Sequence, residues 1–266
     1  MAGMRFSIAG SAMLLFCRLS GRKTKVTPDQ FWRLAFIGIL LLAISNAVLG
    51  WAELYVPTGL AALLISITPI WFLFIEHVLL KRGGRVGRAA LVGVGLGIAG
   101  MIVLLWPQLR ATQSLGGWEL LGAFSLLGSS FSWAFGSVLA RHWRVGVDPL
   151  VGAGWQMAIA GIVDLVLALA LGEHRAATWD YAGLGAIFYL VVFGSWVGYS
   201  AYVYLLRHVP TAKVATYAYV NPVVAVILGW LVLGEPIDRF MFAGAAIIVP
   251  AVALVTTAEH EIEPAD

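Results

Sequence analysis

Polar residues in this chain gather in short clusters. Between them run apolar stretches long enough to be whole helices. The apolar runs fall at about 2–19, 31–53, 57–80, 87–106, 118–141, 147–172, 181–206, 211–233 and 239–257. Each is close to the roughly 20 residues that cross a bilayer as α-helix. The connections are too short to hold a soluble domain. The pattern predicts an all-α polytopic membrane protein with nine spans, followed by an acidic, unstructured tail over 258–266.

Two of the runs open alike. "VPTGLAALLISITP" begins at Val56 and "VPTAKVATYAYVNP" begins at Val209. In each, a proline follows the Thr by eleven residues: Thr58 to Pro69, and Thr211 to Pro222. Five spans separate the two starts. Five is odd, so the copies enter the membrane from opposite sides. Arg88 to Gly93 also has the spacing of Arg239 to Gly244. These matches predict inverted five-helix repeats, an organisation many secondary transporters use. The first repeat is expected over 1–106 and the second over 118–257. Three spans precede the second Val-Pro-Thr helix within its half, and two precede the first. A full pair of repeats therefore has ten helices, with one more expected upstream of Met1.

Composition moves the excess apolar surface into lipid. The chain is 61% hydrophobic and 12% charged, with a mean hydropathy of +0.89. A soluble domain carries about 25% charged residues. The net charge of +3 does not describe a nucleic-acid surface, because the basic residues sit in short loops. Thirteen of them fall on one alternating set of loops: Arg18, Arg22, Lys23, Lys25, Arg33, Lys81, Arg82, Arg85, Arg88, Arg141, Arg144, Arg207 and Lys213. The opposite set holds only Arg110, Arg175 and Arg239, with Arg5 near the N-terminus. By the positive-inside rule the C-terminus is cytoplasmic and the first residues lie outside. The first Val-Pro-Thr then starts outside and the second inside, as the span count requires. The single Cys17 excludes an internal disulfide and a CxxC metal or redox site.

The segments "NAVLGWAELYVPTGLAALLISITP", "SSFSWAFGSVLARHW" and "AYVYLLRHVPTAKVATYAYVNPVVAVILGWLVLGE" together resemble the EamA-type drug/metabolite transporters, and among them bacterial inner-membrane permeases. The likeness runs from Arg5 to the last span, and "YVNPVVAV" with the following "LGE" is its most specific part. The resemblance implies ten helices in two inverted EamA repeats, with both termini cytoplasmic. The first half departs from the family ending: it has "LLKR", Leu79 to Arg82, where the second has "LGE" ending in Glu235.

Candidate chemistry starts at the paired prolines. Pro69 and Pro222 each lie about 18 Å along a helix from the Val-Pro-Thr proline, near the bilayer midplane. A proline inside a helix frees the carbonyl four residues back, here Ile65 and Ala218. Thr68 and Asn221 precede the prolines and can donate to such groups. The expected role is a pair of midplane kinks acting as hinge and substrate ligand; a packing kink is the plainer alternative. Asn46 and Glu53 lie seven residues apart on one helix face, and Glu53 is a candidate cation or proton site or else a solvated helix end. Asp164 sits well inside the sixth span. A charge there costs about 2.5–3.5 kcal/mol on insertion scales, so it should face a cavity or a polar partner such as Gln156. Proton coupling and a simple interhelical bond are both open for it. Glu76 and His77 lie a turn inside Lys81, where snorkelling is the leading reading. Trp133, Tyr199, Tyr202, Tyr217 and Tyr219 can line a cavity for an amphipathic solute or anchor at the interface. Ser125, Ser129, Ser132 and Gly136 form one small-residue stripe, and Gly93 with Gly97 another. Both suit helix packing inside the bundle, with a homodimer seam as the alternative.

No GxxxxGK[ST], HExxH or GxSxG motif is present, which argues against an ATP-driven pump and a membrane hydrolase. No cofactor or metal is expected. The expected function is secondary transport of a small molecule through the bilayer by alternating access. Amino acids, other small metabolites and amphipathic drugs are the cargo the resemblance implies. A membrane enzyme acting on a lipid-linked substrate and a non-transporting scaffold are the competing classes.

Overall fold

The computed structural model describes residues 1–79, 87–111, 116–173, 180–228, 230–231 and 237–257. The basic stretch 81–86, Arg175, Glu235 and the tail 258–266 lie outside the described residues, as does the side chain of His77. Among the described residues the chain is helical without strands, and all nine predicted spans are helices. In chain order these are α1 (Ala2–Leu19), α2 (Pro28–Ala52), α3 (Thr58–Ile65), α4 (Thr68–Phe74), α5 (Arg88–Leu104), α6 (Trp106–Ala111), α7 (Gly117–Trp143), α8 (Pro149–Ala170), α9 (181–208), α10 (Thr211–Val214), α11 (Tyr217–Leu228) and α12 (Arg239–Thr257). The third span is the broken pair α3 and α4, and the eighth is the broken pair α10 and α11.

Local chemistry explains where the helices begin. Thr27 and Gln30 form a capping box ahead of Pro28. Asp148 accepts from the amides of Leu150 and Val151 at the start of α8, and Asp180 accepts from Gly183 at 2.7 Å at the start of α9. Pro57 and Pro210 have the same backbone conformation, φ −55° and ψ 138° against φ −53° and ψ 139°, and each is followed by a helix starting on Thr. The repeated Val-Pro-Thr is therefore a repeated helix entry.

Among the described residues, five helices are long and apolar enough to cross a bilayer: Ala2–Leu19, Pro28–Ala52, Gly117–Trp143, Pro149–Ala170 and Gly183–His208. Their outer faces carry exposed Ile8, Leu15, Phe124, Val166, Phe188 and Val197. Such side chains are stable against lipid and not against water. The protein is an all-α polytopic membrane protein.

The chain forms two compact units: residues 1–47 with 135–209, and residues 48–134 with 210–266. In the first, α1 lies antiparallel on α8. Gly3 sits against Asp164 and Leu165, Ser7 against Gly161, and Gly10 against Ala158 and Gly154. A Cβ on Gly10 would stand 2.2 Å from the Ala158 nitrogen, so the two backbones touch. In the second unit, α5 lies antiparallel on α12 in the same manner. Gly93 near the start of α5 meets Ala251 and Val255, and Gly244 near the start of α12 meets Leu104. Each unit is thus built on one pair of spans that the repeat counts as equivalent.

Candidate functional site

The second unit contains both Val-Pro-Thr spans, and both are interrupted. In the first copy the break falls at Ser66 and Ile67, whose ψ values of −9° and −10° depart from the roughly −42° of an α-helix. The cause is local. Pro69 has no amide for the Ile65 carbonyl and its ring crowds that oxygen. The Thr68 hydroxyl takes the vacant place, donating to the Ile65 carbonyl at 2.5 Å, and Ser66 donates to the Leu63 carbonyl at 2.7 Å. Pro69 then stands in the first turn of α4, where its missing amide does no harm.

The second copy differs from the expectation of a matching kink at Pro222. Pro222 lies inside the unbroken helix α11, and the interruption comes earlier, at Ala215 and Thr216. There the Thr216 hydroxyl donates to the Lys213 carbonyl at 2.7 Å, and the following amides of Ala218 and Tyr219 bond three residues back instead of four. Hydroxyl back-bonding marks both breaks, and proline marks one of them. Asn221 is exposed and makes no hydrogen bond among the described residues. Tyr217 stands half-buried at the start of α11.

The two broken spans run past each other in opposite directions. Segment α10, the start of the second copy, packs on α4, the end of the first. Ala62 and Leu63 near the end of α3 pack on the cluster that holds Tyr219 of α11. Tyr219 is fully buried, with its ring over Gly97, where a Cβ would meet the ring at 2.6 Å. Gly97 is small because a tyrosine occupies its face.

Residues the sequence reading passed over hold the break in place. The Trp71 indole, one turn past Thr68, donates to Ser130 Oγ at 3.0 Å and meets the edge of Phe131. That bond ties α4 to the polar middle of α7, where Ser129, Ser130 and Ser132 are buried and Trp133 is half-buried. The available signal was a run of three serines within four residues at mid-span. Thr68 itself is 1% exposed. Glu53 is exposed just past the end of α2 and forms no ion pair among the described residues.

The first unit gathers a separate set of polar side chains. α2 widens into π-helix over Ile39–Ile44, and the side chains of Ser45 and Asn46 donate to the Leu40 and Leu42 carbonyls at 3.1 and 2.9 Å. α9 is π-helical over Leu190–Tyr199. π-helical turns of this kind are often found at functional sites. The Tyr199 hydroxyl donates to Gln156 Oε1 at 2.8 Å, and Tyr202 shares a proton with Ser137 at 2.6 Å. Gln156 was expected beside Asp164; it turns instead to Tyr199. Asp164 is 6% exposed, and neither carboxylate oxygen has a hydrogen-bond partner among the described residues. Arg5 donates through Nε to Ser195 at 2.9 Å. Gly136 receives Leu40 and Leu41.

Apolar helices long enough to span, helices broken at buried hydroxyls and polar side chains facing inward define a polytopic membrane protein of the kind that moves solutes. The sequence profile of the EamA-like transporter family matches residues 1–106 and 120–257. The chain belongs to that family and is a membrane transporter. It is 36% identical over 261 residues to the "Uncharacterized inner membrane transporter YedA" of Escherichia coli strain K12, a match covering 98% of this chain and 82% of that protein. It is 28% identical over 222 residues to a "Probable terminal-alkyne amino-acid exporter" of Streptantibioticus cattleyicolor, covering 84% of this chain and 72% of that one. A solved crystal structure superposes with a TM-score of 0.82 at 18% identity, over 96% of this chain and 85% of the other, which establishes the shared fold.

Proposed function

We propose that the protein exports small organic molecules, amino acids or amphipathic drugs among them, across the bacterial inner membrane by alternating access, with its C-terminus in the cytoplasm. The observation that carries this reading is the crossing of two oppositely directed, broken spans within one unit. Backbone freed from its helix ladder at membrane depth is tolerated only where protein or a cavity satisfies it, and transporters of inverted repeats place their sites at such breaks. The antiparallel pairing of α1 with α8 and of α5 with α12 supports two inverted repeats over 1–106 and 118–257. Thr68, Pro69, Asn46, Trp133, Tyr217, Asn221 and Pro222 are the proposed substrate and gating residues, and Asp164 is the proposed proton-coupling group, with Glu53 as a second carboxylate to compare. The relative named as an amino-acid exporter makes amino-acid-like solutes the first cargo to try.

The test is counterflow in proteoliposomes. Vesicles preloaded with an unlabelled amino-acid mixture should accumulate the labelled solute transiently, and vesicles with the Thr68→Val protein should do so more slowly at equal protein content. A wild-type protein that gives no counterflow with amino acids, short amphipathic amines or aromatic cations would overturn the export reading.

A further inference from the structure

At one end of the unit formed by residues 1–47 and 135–209, α7 and α9 stop and α8 starts. That corner holds a cavity of about 300 Å³ lined by Ala140, Arg141, Arg144, Gly146 and Arg207. Three arginines line one small volume. Like charges so placed repel unless something neutralises them.

The bonds inside the protein use only part of these side chains. Arg141 donates through Nη1 to the carbonyls of Leu206, at 3.2 Å, and Val209, which caps the C-terminal end of α9. Arg207 donates through Nη1 to the Val147 carbonyl at 2.9 Å. A guanidinium has five N–H donors, so each anchored arginine keeps others available. Arg144 makes no hydrogen bond or ion pair among the described residues. Its φ of 40° lies in the left-handed region, which is uncommon for a side chain of this size.

Capping explains the bonds of Arg141 and leaves Arg144 and the convergence on one cavity unexplained. The nearby carboxylate, Asp148, bears electrostatically on Arg207 and offsets only part of the three charges, and its hydrogen bonds go elsewhere. Asp148 spends Oδ2 on Arg22 at 2.5 Å, and its Oδ1 accepts from the amides of Leu150 and Val151.

We propose that the Arg141, Arg144 and Arg207 pocket binds a phosphate-bearing anion, supplied by the headgroup of an anionic phospholipid or by a soluble phosphate. The planar fork of arginine matches phosphate oxygens in pairs, and desolvated guanidinium–phosphate contacts are among the strongest hydrogen bonds proteins make. Basic pockets between spans at the cytoplasmic interface suit anionic headgroups. The ring of Trp143 stacked on Phe36, at 5.8 Å between centroids on the same end of α7, has the character of an interfacial anchor.

The experiment uses the full chain in nanodiscs. Thermal unfolding is followed in phosphatidylcholine discs as phosphatidylglycerol is added, and retained lipid is counted by native mass spectrometry. The midpoint should rise with phosphatidylglycerol, and that lipid should survive detergent release while phosphatidylcholine does not. Arg144→Gln removes an unbonded side chain and should raise the phosphatidylglycerol needed for half the effect roughly tenfold. Lys23→Gln, an exposed loop cation, should leave the response unchanged.

In pure phosphatidylcholine discs, inorganic phosphate and glycerol phosphate are added instead. Protection there assigns the pocket to a soluble anion, and protection only by lipid assigns it to a headgroup; either outcome supports the site. Equal behaviour of the two lipids together with no effect of phosphate would overturn it. So would a wild-type lipid response in both Arg144→Gln and Arg207→Gln. Should either variant fail to fold, the lipid and phosphate arms on the unaltered chain decide alone.

Discussion

Thr68 and Pro69 form a coupled pair whose energetics follow from one carbonyl. In an α-helix the Ile65 oxygen would accept the amide of residue 69. Pro69 has none, and the Thr68 hydroxyl donates instead at 2.5 Å. Thr68→Val keeps the side-chain shape and removes the donor. It leaves a buried acceptor unpaired, which should destabilise the protein by about 1–3 kcal/mol. Pro69→Ala restores the amide. It gains a backbone bond worth about 0.5–1.5 kcal/mol and loses the entropic advantage of proline, about 0.4–1 kcal/mol, so it should be close to neutral. In the double variant the new amide satisfies the oxygen that Thr68 served, and the loss of the hydroxyl should cost little. The cycle should therefore close with a coupling energy of about 1–2 kcal/mol. Unfolding free energies of the four proteins in mixed micelles measure it. Counterflow of the same proteins reads the functional side: Pro69→Ala should slow transport at normal abundance, because the break it repairs is the proposed hinge. Additive single effects, or a Pro69→Ala protein that transports at the wild-type rate, would refute the reasoning.

Gly10→Leu should lower the thermal midpoint sharply and deplete the protein from the membrane. Its Cβ meets the Ala158 backbone at 2.2 Å, and overpacking costs about 1–3 kcal/mol or more; Gly128→Leu, with open space around it, should be tolerated. Tyr199→Phe should destabilise by about 1–3 kcal/mol by stranding Gln156 Oε1, and adding Gln156→Leu should recover much of the loss in a mixed-micelle unfolding series. Asp164→Leu removes a buried carboxylate without partners among the described residues, so stability should hold or improve. If Asp164 carries the coupling proton, that variant should keep solute counterflow and lose uptake driven by a pH gradient; unchanged gradient-driven uptake ends the proposal for this residue.

The architecture was legible because lipid imposes it. Apolar runs of spanning length and a recurring Val-Pro-Thr are both one-dimensional signals, and two helices start at Pro57 and Pro210, where the repeated motif puts them. The Ile65 carbonyl and its Thr68 donor were also legible, since a proline names the oxygen it frees. The second break was not. Thr216 interrupts its helix by bonding to Lys213, and a hydroxyl in a span can as readily leave the helix intact, so nothing in the sequence distinguishes the two outcomes. The partner of Gln156 and the π-helical segments of α2 and α9 were hidden for a related reason. They depend on which neighbouring span fills each face, and Tyr199 and Asp164 compete for that choice only in three dimensions.

The difference between the two Val-Pro-Thr spans bears on mechanism. Both enter through a proline of the same conformation, yet the first breaks eight residues after its Thr, at Ser66, and the second four residues after, at Ala215. Four residues are about one helical turn, or about 6 Å. The position equivalent to Ser66 in the second copy is Tyr219, whose ring is buried on Gly97 and whose backbone already lies within α11. Inverted repeats that alternate must differ in any single state, because one side is closed while the other is open. A one-turn offset in the break supplies such a difference without altering how the spans enter the membrane. In the proposed orientation it also gives the two hydroxyls different duties: Thr68 to the span that enters from outside, Thr216 to the one that enters from inside. Thr216→Val should then change accessibility from the cytoplasmic side, read by cysteine labelling near Lys213 in a Cys17→Ser background, while labelling near Thr58 stays as in the unaltered chain. Equal changes at both ends would mean that the two breaks move as one, and that their offset has no part in the cycle.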